Sequence, residues 1–245
     1  MPKIARPIVV HLKGLIKALF RSRGYEIVPR ATTPLVQRLL SAKNIEMIFD
    51  VGANDGVSGK LYRSFGYAGS IVSFEPVSHL FQRLEECCAK DPRWQCERVA
   101  LGSVSKVANI YVSGGHGGAS SLLQMTDIVY ANAPDQAVIR TEDIRVEPLA
   151  VFFEKHYPRG NNCFLKIDVQ GNEYDVLRGV GNALPQISML QLELSLVQNY
   201  EGERLFCEML PYLRTLGFYP VEVICGWASP ESLELFQVDV VFLRQ

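Results

Sequence analysis

The chain of 245 residues lacks several patterns that would assign a function directly. Its six cysteines form no C-x-x-C pair and show no metal-ligand spacing, and the sequence holds no internal repeat. The net charge of −1 gives no electrostatic basis for nucleic-acid binding. We therefore expect one globular domain in a reducing, cytoplasmic compartment, with neither a metal site nor a nucleic-acid partner.

Two phosphate-binding patterns are also missing, G-x-G-x-x-G and the Walker lysine. The run MIFDVGANDG (47–56) instead places small residues directly after a strand-like segment that ends near Asp50. Gly52 and Gly56 permit positive φ and close approach of the backbone to a ligand. Asp50 would lie at the carboxyl end of a strand, where α/β sheets bind ligands. This pattern favours a zwitterionic ligand with an ammonium group, such as S-adenosylmethionine, over a plain tight turn.

Acidic residues also end two later strand-like segments. Glu75 closes SIVSFEP (70–76), 25 positions after Asp50, where a carboxylate accepts hydrogen bonds from both hydroxyls of a ribose. Asp168 follows an apolar run in FLKIDVQGNEYDVLRG (164–179). Because the carboxyl ends of parallel strands meet at one edge of a sheet, we expect these side chains to face one crevice.

The segments IFDVGANDG, SFEP, VALG, LKIDVQGNE and LQLELSLVQNYEGE, in this order and spacing, resemble the FkbM family of S-adenosylmethionine-dependent methyltransferases. The resemblance covers roughly residues 45–245, including the closing strand FQVDVVFLR. It implies a class I methyltransferase fold and O-methylation of a small hydroxylated acceptor, such as a sugar or a natural product. Gln170 stands where we expect an acidic residue, and Asn172 where an apolar or aromatic residue is more usual.

The candidate site residues combine these strand ends with the resemblance. The predicted cofactor-binding residues are Asp50, Gly52, Ala53, Asn54, Gly56, Glu75, Ala100 and Asp168. The predicted catalytic residues are Asp168, Glu193 and His116, which could remove or orient the acceptor's proton, and Lys166 is a further candidate base. Their alternative roles are a buried ion pair for Glu193 and a solvated loop position for His116. Asp168 and Glu193 could also ligate a divalent cation, but two carboxylates are a weak metal signal.

The alternation of strand-like and helix-like segments predicts an α/β fold: a Rossmann-like, mainly parallel sheet with helices on both faces and a C-terminal antiparallel hairpin. The predicted strands are 47–51, 70–75, 95–101, 106–113, 163–168, 188–194, 218–224 and 236–243. The predicted helices are 57–65, 77–90, 148–156, 172–179 and 203–216. Residues 114–145 interrupt the methyltransferase domain (31–245) as an inserted loop with one short helix, either a mobile lid or a plain surface excursion.

The N-terminal segment 1–30 differs from the rest in charge. It carries a net charge of +6, whereas the remainder carries −7. Basic and apolar residues occupy opposite faces of a helix predicted over 7–21. The apolar stretch is too short to span a bilayer, and no cleavage site for a signal peptide follows it. The helix packs on the domain or lies on an anionic membrane, and we favour packing.

Two alternatives to a methyltransferase remain open from the sequence. The first is an oxidoreductase on a Rossmann-like fold, which the missing G-x-G-x-x-G disfavours. The second is a catalytically inactive, methyltransferase-like binding module, which Gln170 leaves open. The expected partner is a small-molecule acceptor, and the sequence carries no signal for an oligomeric state.

Overall fold

The computed structural model describes residues 34–157, 162–229 and 231–245, so the predicted basic helix of the N-terminal segment lies outside them and stays a prediction. The helices, numbered within the described residues, are α1 Leu35–Ala42, α2 Val57–Ser64, α3 Ser78–Cys88, α4 Asp127–Asn132, α5 Leu149–His156, α6 Glu173–Arg178 and α7 Phe206–Thr215. The strands are β1 Met47–Val51, β2 Ser70–Phe74, β3 Trp94–Glu97, β4 Ala100–Leu101, β5 Lys106–Ser113, β6 Val138–Glu147, β7 Cys163–Ile167, β8 Ile187–Ser195, β9 Phe218–Cys225 and β10 Gln237–Arg244. Over these residues, no helix is both long and apolar enough to cross a bilayer.

Seven strands form the main sheet in the order β3-β2-β1-β7-β8-β10-β9. In this order, the neighbouring strands β3, β2, β1, β7 and β8 are all paired parallel. Strand β10 runs antiparallel to both of its neighbours, β8 and β9. The predicted mainly parallel sheet with a C-terminal antiparallel hairpin is therefore confirmed. In the central register, Asp50 lies opposite Ser73 on one side and Lys166 on the other, which brings three polar residues together inside the sheet.

The two faces of the sheet pack against different helices because successive side chains of a strand point to opposite sides. Phe49 on β1 belongs to an apolar cluster with residues of α5, α6 and α7. Its neighbour Ile48 belongs to a second cluster, which holds Tyr62 of α2 and residues of α1 and α3. Strands β1 and β7 are buried along their whole length, as expected for central strands covered on both faces.

The structure differs from the sequence prediction between the two halves of the domain. Residues 138–147, most of which were expected within the loop 114–145, form β6, which pairs antiparallel with β5 along most of its length. The short strand β4 pairs parallel with β6, so the strand predicted over 95–101 divides between two sheets. The prediction missed β6 because six of its ten residues are polar, and only Ile144 and Val146 are buried.

Candidate functional site

The loop after β1 forms the first wall of the site. Gly52 has φ +75°, and a Cβ built on it would lie 1.7 Å from the carbonyl oxygen of Asp168. Only glycine therefore lets the end of β1 approach the end of β7 so closely. The N–H groups of Gly52 and Ala53 both donate to the carbonyl of Phe74, at 3.1 and 3.0 Å, which fixes the loop against the end of β2.

Glu75 is held at the end of β2 by two backbone hydrogen bonds. One carboxylate oxygen accepts from the N–H of Asn54 and the other from the N–H of Val77, each at 2.9 Å. The side chain is 5% exposed. Burial raises the pKa of Glu75 to about 7, against the lowering effect of the two backbone donors. Each oxygen keeps a second lone pair, so the carboxylate can still accept hydrogen bonds from a ligand.

Asp50 lies behind this loop, in a buried polar chain. Its Oδ2 accepts from the Ser73 hydroxyl at 3.1 Å, and Ser73 in turn accepts from the Trp94 indole N–H at 3.0 Å. Its Oδ1 lies 3.7 Å from the ammonium nitrogen of Lys166, which is 3.2 Å from Asp168 Oδ2. Burial raises the pKa of Asp50, although Lys166 opposes this effect.

The ion pairs with Asp50 and Asp168 determine the protonation state of Lys166. Burial by itself would lower its pKa, but the carboxylates of Asp168 and Asp50 outweigh that effect and raise it. Lys166 therefore stays a cation in the physiological pH range and is unsuited to act as a base. Its contacts instead tie the end of β7 to the end of β1.

Gln170 links the carboxylates that the sequence predicted as catalytic. Its amide nitrogen donates to Asp168 Oδ1 at 2.9 Å and to Glu193 Oε2 at 2.5 Å. Its amide oxygen accepts from the hydroxyl of Tyr200 at 2.7 Å, and its carbonyl accepts from Ser121 at 2.7 Å. Burial, together with the nearby Asp168 carboxylate, raises the pKa of Glu193 well above its usual range, which favours the protonated acid.

The backbone at Gln170 is unusual for a residue with a side chain. Its φ is +59°, in the left-handed region. Glu173, at the start of α6, holds this turn because its Oε1 accepts from the N–H groups of Val169 and Gly171, at 3.1 and 3.2 Å. Sequence reasoning noted Gln170 only as a departure from a pattern, and it assigned no role to Tyr200 or Ser121.

These elements enclose a cleft of about 690 Å³ that opens to solvent. Glu75 and Asp168 are its acidic residues, and the side chains of Val99, Leu101 and Ile110 are among those that form an apolar wall. A concave site with an apolar wall and a few polar groups is typical of a small-molecule binding site. The cleft lies at the carboxyl ends of β1, β2 and β7, as the strand-end argument predicted.

The predicted site residues divide into three groups. Those that line the cleft are Gly52, Asn54, Glu75, Ala100 and Asp168. Those that support the loop from behind without lining the cleft are Asp50, Ala53 and Gly56. The other two do not line the cleft. Glu193 is linked to Asp168 through Gln170. The side chain of His116 is exposed, and its carbonyl accepts from the Asn54 amide at 3.3 Å.

Comparison with known protein families decides the classification. The methyltransferase FkbM domain matches residues 50–220, which is well over half of the chain. The chain belongs to the FkbM methyltransferase family. The predicted resemblance is thus confirmed, and S-adenosylmethionine is the cofactor that this membership assigns. Membership of this family argues against the alternative of an oxidoreductase on a Rossmann-like fold. No curated protein matches the chain.

The solved structures that are similar to this FkbM methyltransferase share little sequence with it. A putative O-methyltransferase from Klebsiella pneumoniae matches 99% of this chain and 92% of its own, with a TM-score of 0.48 and 9% identity. Fibrillarin from Aeropyrum pernix, with natively bound S-adenosyl-L-methionine, matches 81% of this chain and 66% of its own, with a TM-score of 0.45 and 11% identity. The family assignment rests on the domain match alone.

The residues of the cleft fit S-adenosylmethionine. Glu75 offers carboxylate lone pairs to the ribose hydroxyls, and the apolar wall beside it can cover a flat, uncharged base. The polar loop at Asn54 lines the same cleft, where it can meet the charged methionine end, and Asp168 is a further lining residue. Asp50 does not line the cleft, so we expect it to order the loop rather than contact the ammonium group.

The hydrogen bonds of Gln170 oppose a metal ion held between Asp168 and Glu193. A cation shared by Asp168 and Glu193 would need the space between their oxygens, and the Gln170 amide nitrogen already donates to both. In the part of the chain that the structure describes, no group of three or more His, Cys, Asp or Glu side chains is placed to hold a metal ion.

Proposed function

We propose that this FkbM methyltransferase methylates a hydroxyl group of a small acceptor. The observation that carries the proposal is the position of Asp168, whose side chain is 32% exposed and lines the cofactor cleft. Lys166 donates a hydrogen bond to one carboxylate oxygen of Asp168, and Gln170 donates to the other. A carboxylate fixed in this way can receive the proton that an alcohol must lose during methyl transfer.

The chemistry divides between the cofactor and the protein. Bound S-adenosylmethionine would supply an electrophilic methyl group, whose bond to sulfur would break as its carbon bonds to the acceptor oxygen. Asp168 accepts the hydroxyl proton, Glu75 holds the ribose, and the loop at Gly52 aligns the donor with the acceptor. The products are a methyl ether and S-adenosylhomocysteine. Alignment of the donor with the acceptor and exclusion of water can lower the barrier of such a reaction substantially.

A small, non-nucleic acceptor agrees with the charge of the domain. Residues 31–245 carry a net charge of −7, which would repel a phosphate backbone. A membrane contact through the predicted basic helix remains the less favoured alternative to its packing on the domain. A cytoplasmic location also stays a proposal, supported by six cysteines that are all free.

The experiment that tests this function is transfer of a trideuteromethyl group from labelled S-adenosylmethionine to a panel of alcohols, phenols and amines, read by mass spectrometry. We expect a labelled ether, with or without EDTA, because Gln170 occupies the space that a shared cation would need. Label on amines alone would contradict O-methylation. Cofactor binding without transfer to any acceptor would favour the inactive binding module.

A first prediction concerns Glu75. The substitution Glu75→Ala should weaken S-adenosylhomocysteine binding at least tenfold. It removes the carboxylate that would accept from the ribose hydroxyls, and each hydrogen bond to a charged group contributes about 1.5–3 kcal/mol. Isothermal calorimetry measures the dissociation constant directly. Glu86→Ala, an exposed position on α3, is the matched control and should bind like the wild type. Equal affinity in a folded Glu75→Ala protein would overturn the ribose assignment.

The raised pKa of Glu75 adds a pH dependence to this prediction. The ionised carboxylate is the better acceptor for ribose hydroxyls, so affinity should fall as the pH drops through about 7. Glu75→Gln has no charge to lose and should show a flat profile over the same range. A wild-type profile without this step would show that another group holds the ribose.

A further inference from the structure

Gln170 lies on the border between two cavities. It lines the cofactor cleft together with Asp168, and it also lines a second cavity of about 550 Å³. Within the described residues, the side chains that line the second cavity carry no formal charge. Gln170 also stands where the family resemblance led us to expect an acidic residue. Its amide is therefore a departure from the pattern that lies in the wall of the reaction site itself.

The orientation of the Gln170 amide is fixed by its partners. Its oxygen accepts from the hydroxyl of Tyr200 at 2.7 Å, so its nitrogen faces Asp168 Oδ1 at 2.9 Å and Glu193 Oε2 at 2.5 Å. An ionised carboxylate only accepts hydrogen bonds, so the reversed amide would lose its bond to Asp168. The main chain is held as well, because the Gln170 carbonyl accepts from Ser121 at 2.7 Å. The amide thus donates one N–H to each of the two carboxyl groups.

An acidic residue at this position would have the opposite effect. Its carboxylate would accept rather than donate, and it would lie within hydrogen-bonding distance of two other carboxyl groups. Carboxyl groups that share a site cannot all be ionised, so at least one of them takes up a proton. The residue that must receive the acceptor's proton, Asp168, would then be less available to do so.

The protonation of Asp168 also depends on the groups around it. Lys166 on β7 is a cation 3.2 Å from its Oδ2. The other titratable groups near Asp168 are Asp50 on β1, Tyr62 on α2, Glu173 on α6, Glu193 on β8, Tyr200 after β8 and Asp239 on β10. Among these carboxyls, Glu193 is the one that accepts from the same amide nitrogen as Asp168. Glu193 is therefore the group with which Asp168 would share a proton if the amide were absent.

We propose that Gln170 is a positioning residue, which directs the Asp168 carboxylate into the cleft and keeps it from sharing a proton with Glu193. The inference rests on the proposed function, because it concerns the group that takes up the acceptor's proton. One N–H stabilises the ionised form of Asp168, and the other engages Glu193. Gln170 therefore supports the reaction and is not a sign of an inactive binding module.

The test is a pH titration by carboxyl ¹³C NMR on the full chain, saturated with S-adenosylhomocysteine. The Asp168 signal is identified by its loss in Asp168→Asn. In Gln170→Glu, the pH at which Asp168 is half-protonated should lie about one unit or more above that of the wild type, because a like charge replaces a donor. Gln170→Met, which removes the donor and adds no charge, should shift it in the same direction. The matched control is Gln198→Glu, at an exposed position outside both linings, which should titrate like the wild type.

The titration separates positioning from a purely structural role, which would lower the Tm without moving the titration of Asp168. A folded Gln170→Met protein that titrates like the wild type would overturn the proposal, and so would an unchanged titration in Gln170→Glu. Methyl transfer to alcohols should fall about tenfold or more in both variants, while S-adenosylhomocysteine affinity stays within about threefold. Wild-type turnover in Gln170→Met would also contradict the proposal.

Failure of the proposed function gives a different result. The titration needs no acceptor, so it reports on Gln170 even if the wild type methylates no alcohol. A wild-type protein that binds S-adenosylhomocysteine but transfers no methyl group would contradict the proposed function alone. A shifted titration in both Gln170 variants would still support the effect of the amide on Asp168.

Discussion

Asp168→Asn should lower the rate of methyl transfer by about 10²- to 10⁴-fold, the range that general base catalysis contributes. The asparagine keeps the shape of the side chain and can still accept from Gln170, but it cannot take up the acceptor's proton. S-adenosylhomocysteine affinity should stay within about threefold of the wild type, since the proposed ribose contact is made by Glu75. The turnover number and the dissociation constant are measured on the same preparation.

Two comparisons make this prediction specific. Asp143→Asn, at an exposed position on β6, removes a carboxylate that does not line the cleft and should leave turnover unchanged. Parallel losses of turnover and of cofactor affinity in Asp168→Asn would assign Asp168 to the cofactor instead. Full turnover in the variant would show that the proton leaves by another route.

Lys166→Met should destabilise the fold by about 3–5 kcal/mol, because it leaves the buried Asp50 carboxylate without its cation. Lys166 is 7% exposed, and its ammonium nitrogen lies 3.7 Å from Asp50, which is fully buried. For a domain of this size, the expected fall in Tm is roughly 6–20 °C. The loss should shrink at lower pH, where Asp50 takes up a proton and its burial costs less.

The double variant Asp50→Asn/Lys166→Met identifies the cause of this loss. Once the charge of Asp50 is gone, removal of Lys166 should cost much less, and the double variant should melt above Lys166→Met. Lys106→Met, at an exposed site on β5, controls for the loss of a lysine. Additive losses would mean that the ion pair contributes little and that Lys166 stabilises the fold by packing alone.

The positions of the strand ends could be predicted from the sequence because they depend on local pattern. Apolar runs end at Val51, Phe74 and Ile167, and a polar residue or a glycine follows each of them. Parallel strands covered by helices place such ends at one edge, so Glu75 and Asp168 had to meet at one cleft. The family and its cofactor followed from the same segments, and the domain match confirms both.

The contacts around Gln170 could not be predicted in this way. Its partners Glu193 and Tyr200 lie 23 and 30 positions away, and their approach depends on the order of β7 and β8 and on the path of the chain after β8. A sequence pattern shows which residues end a strand, but not which side chains of different elements come within hydrogen-bonding distance. The left-handed backbone at Gln170, which glycine adopts more readily, was hidden for the same reason.

Local apolar patterns and glycine positions in the sequence determined most of the alternation of strands and helices and the edge of the sheet at which the cleft forms, and the order and spacing of the motifs indicated the family. The tertiary structure alone decided that Lys166 is a buried cation between two carboxylates, that Asp50 lies behind the loop, and that a second, neutral cavity borders the cleft. These features depend on strand register and on long-range packing, which set the distances between charges and the shape of the space between distant segments.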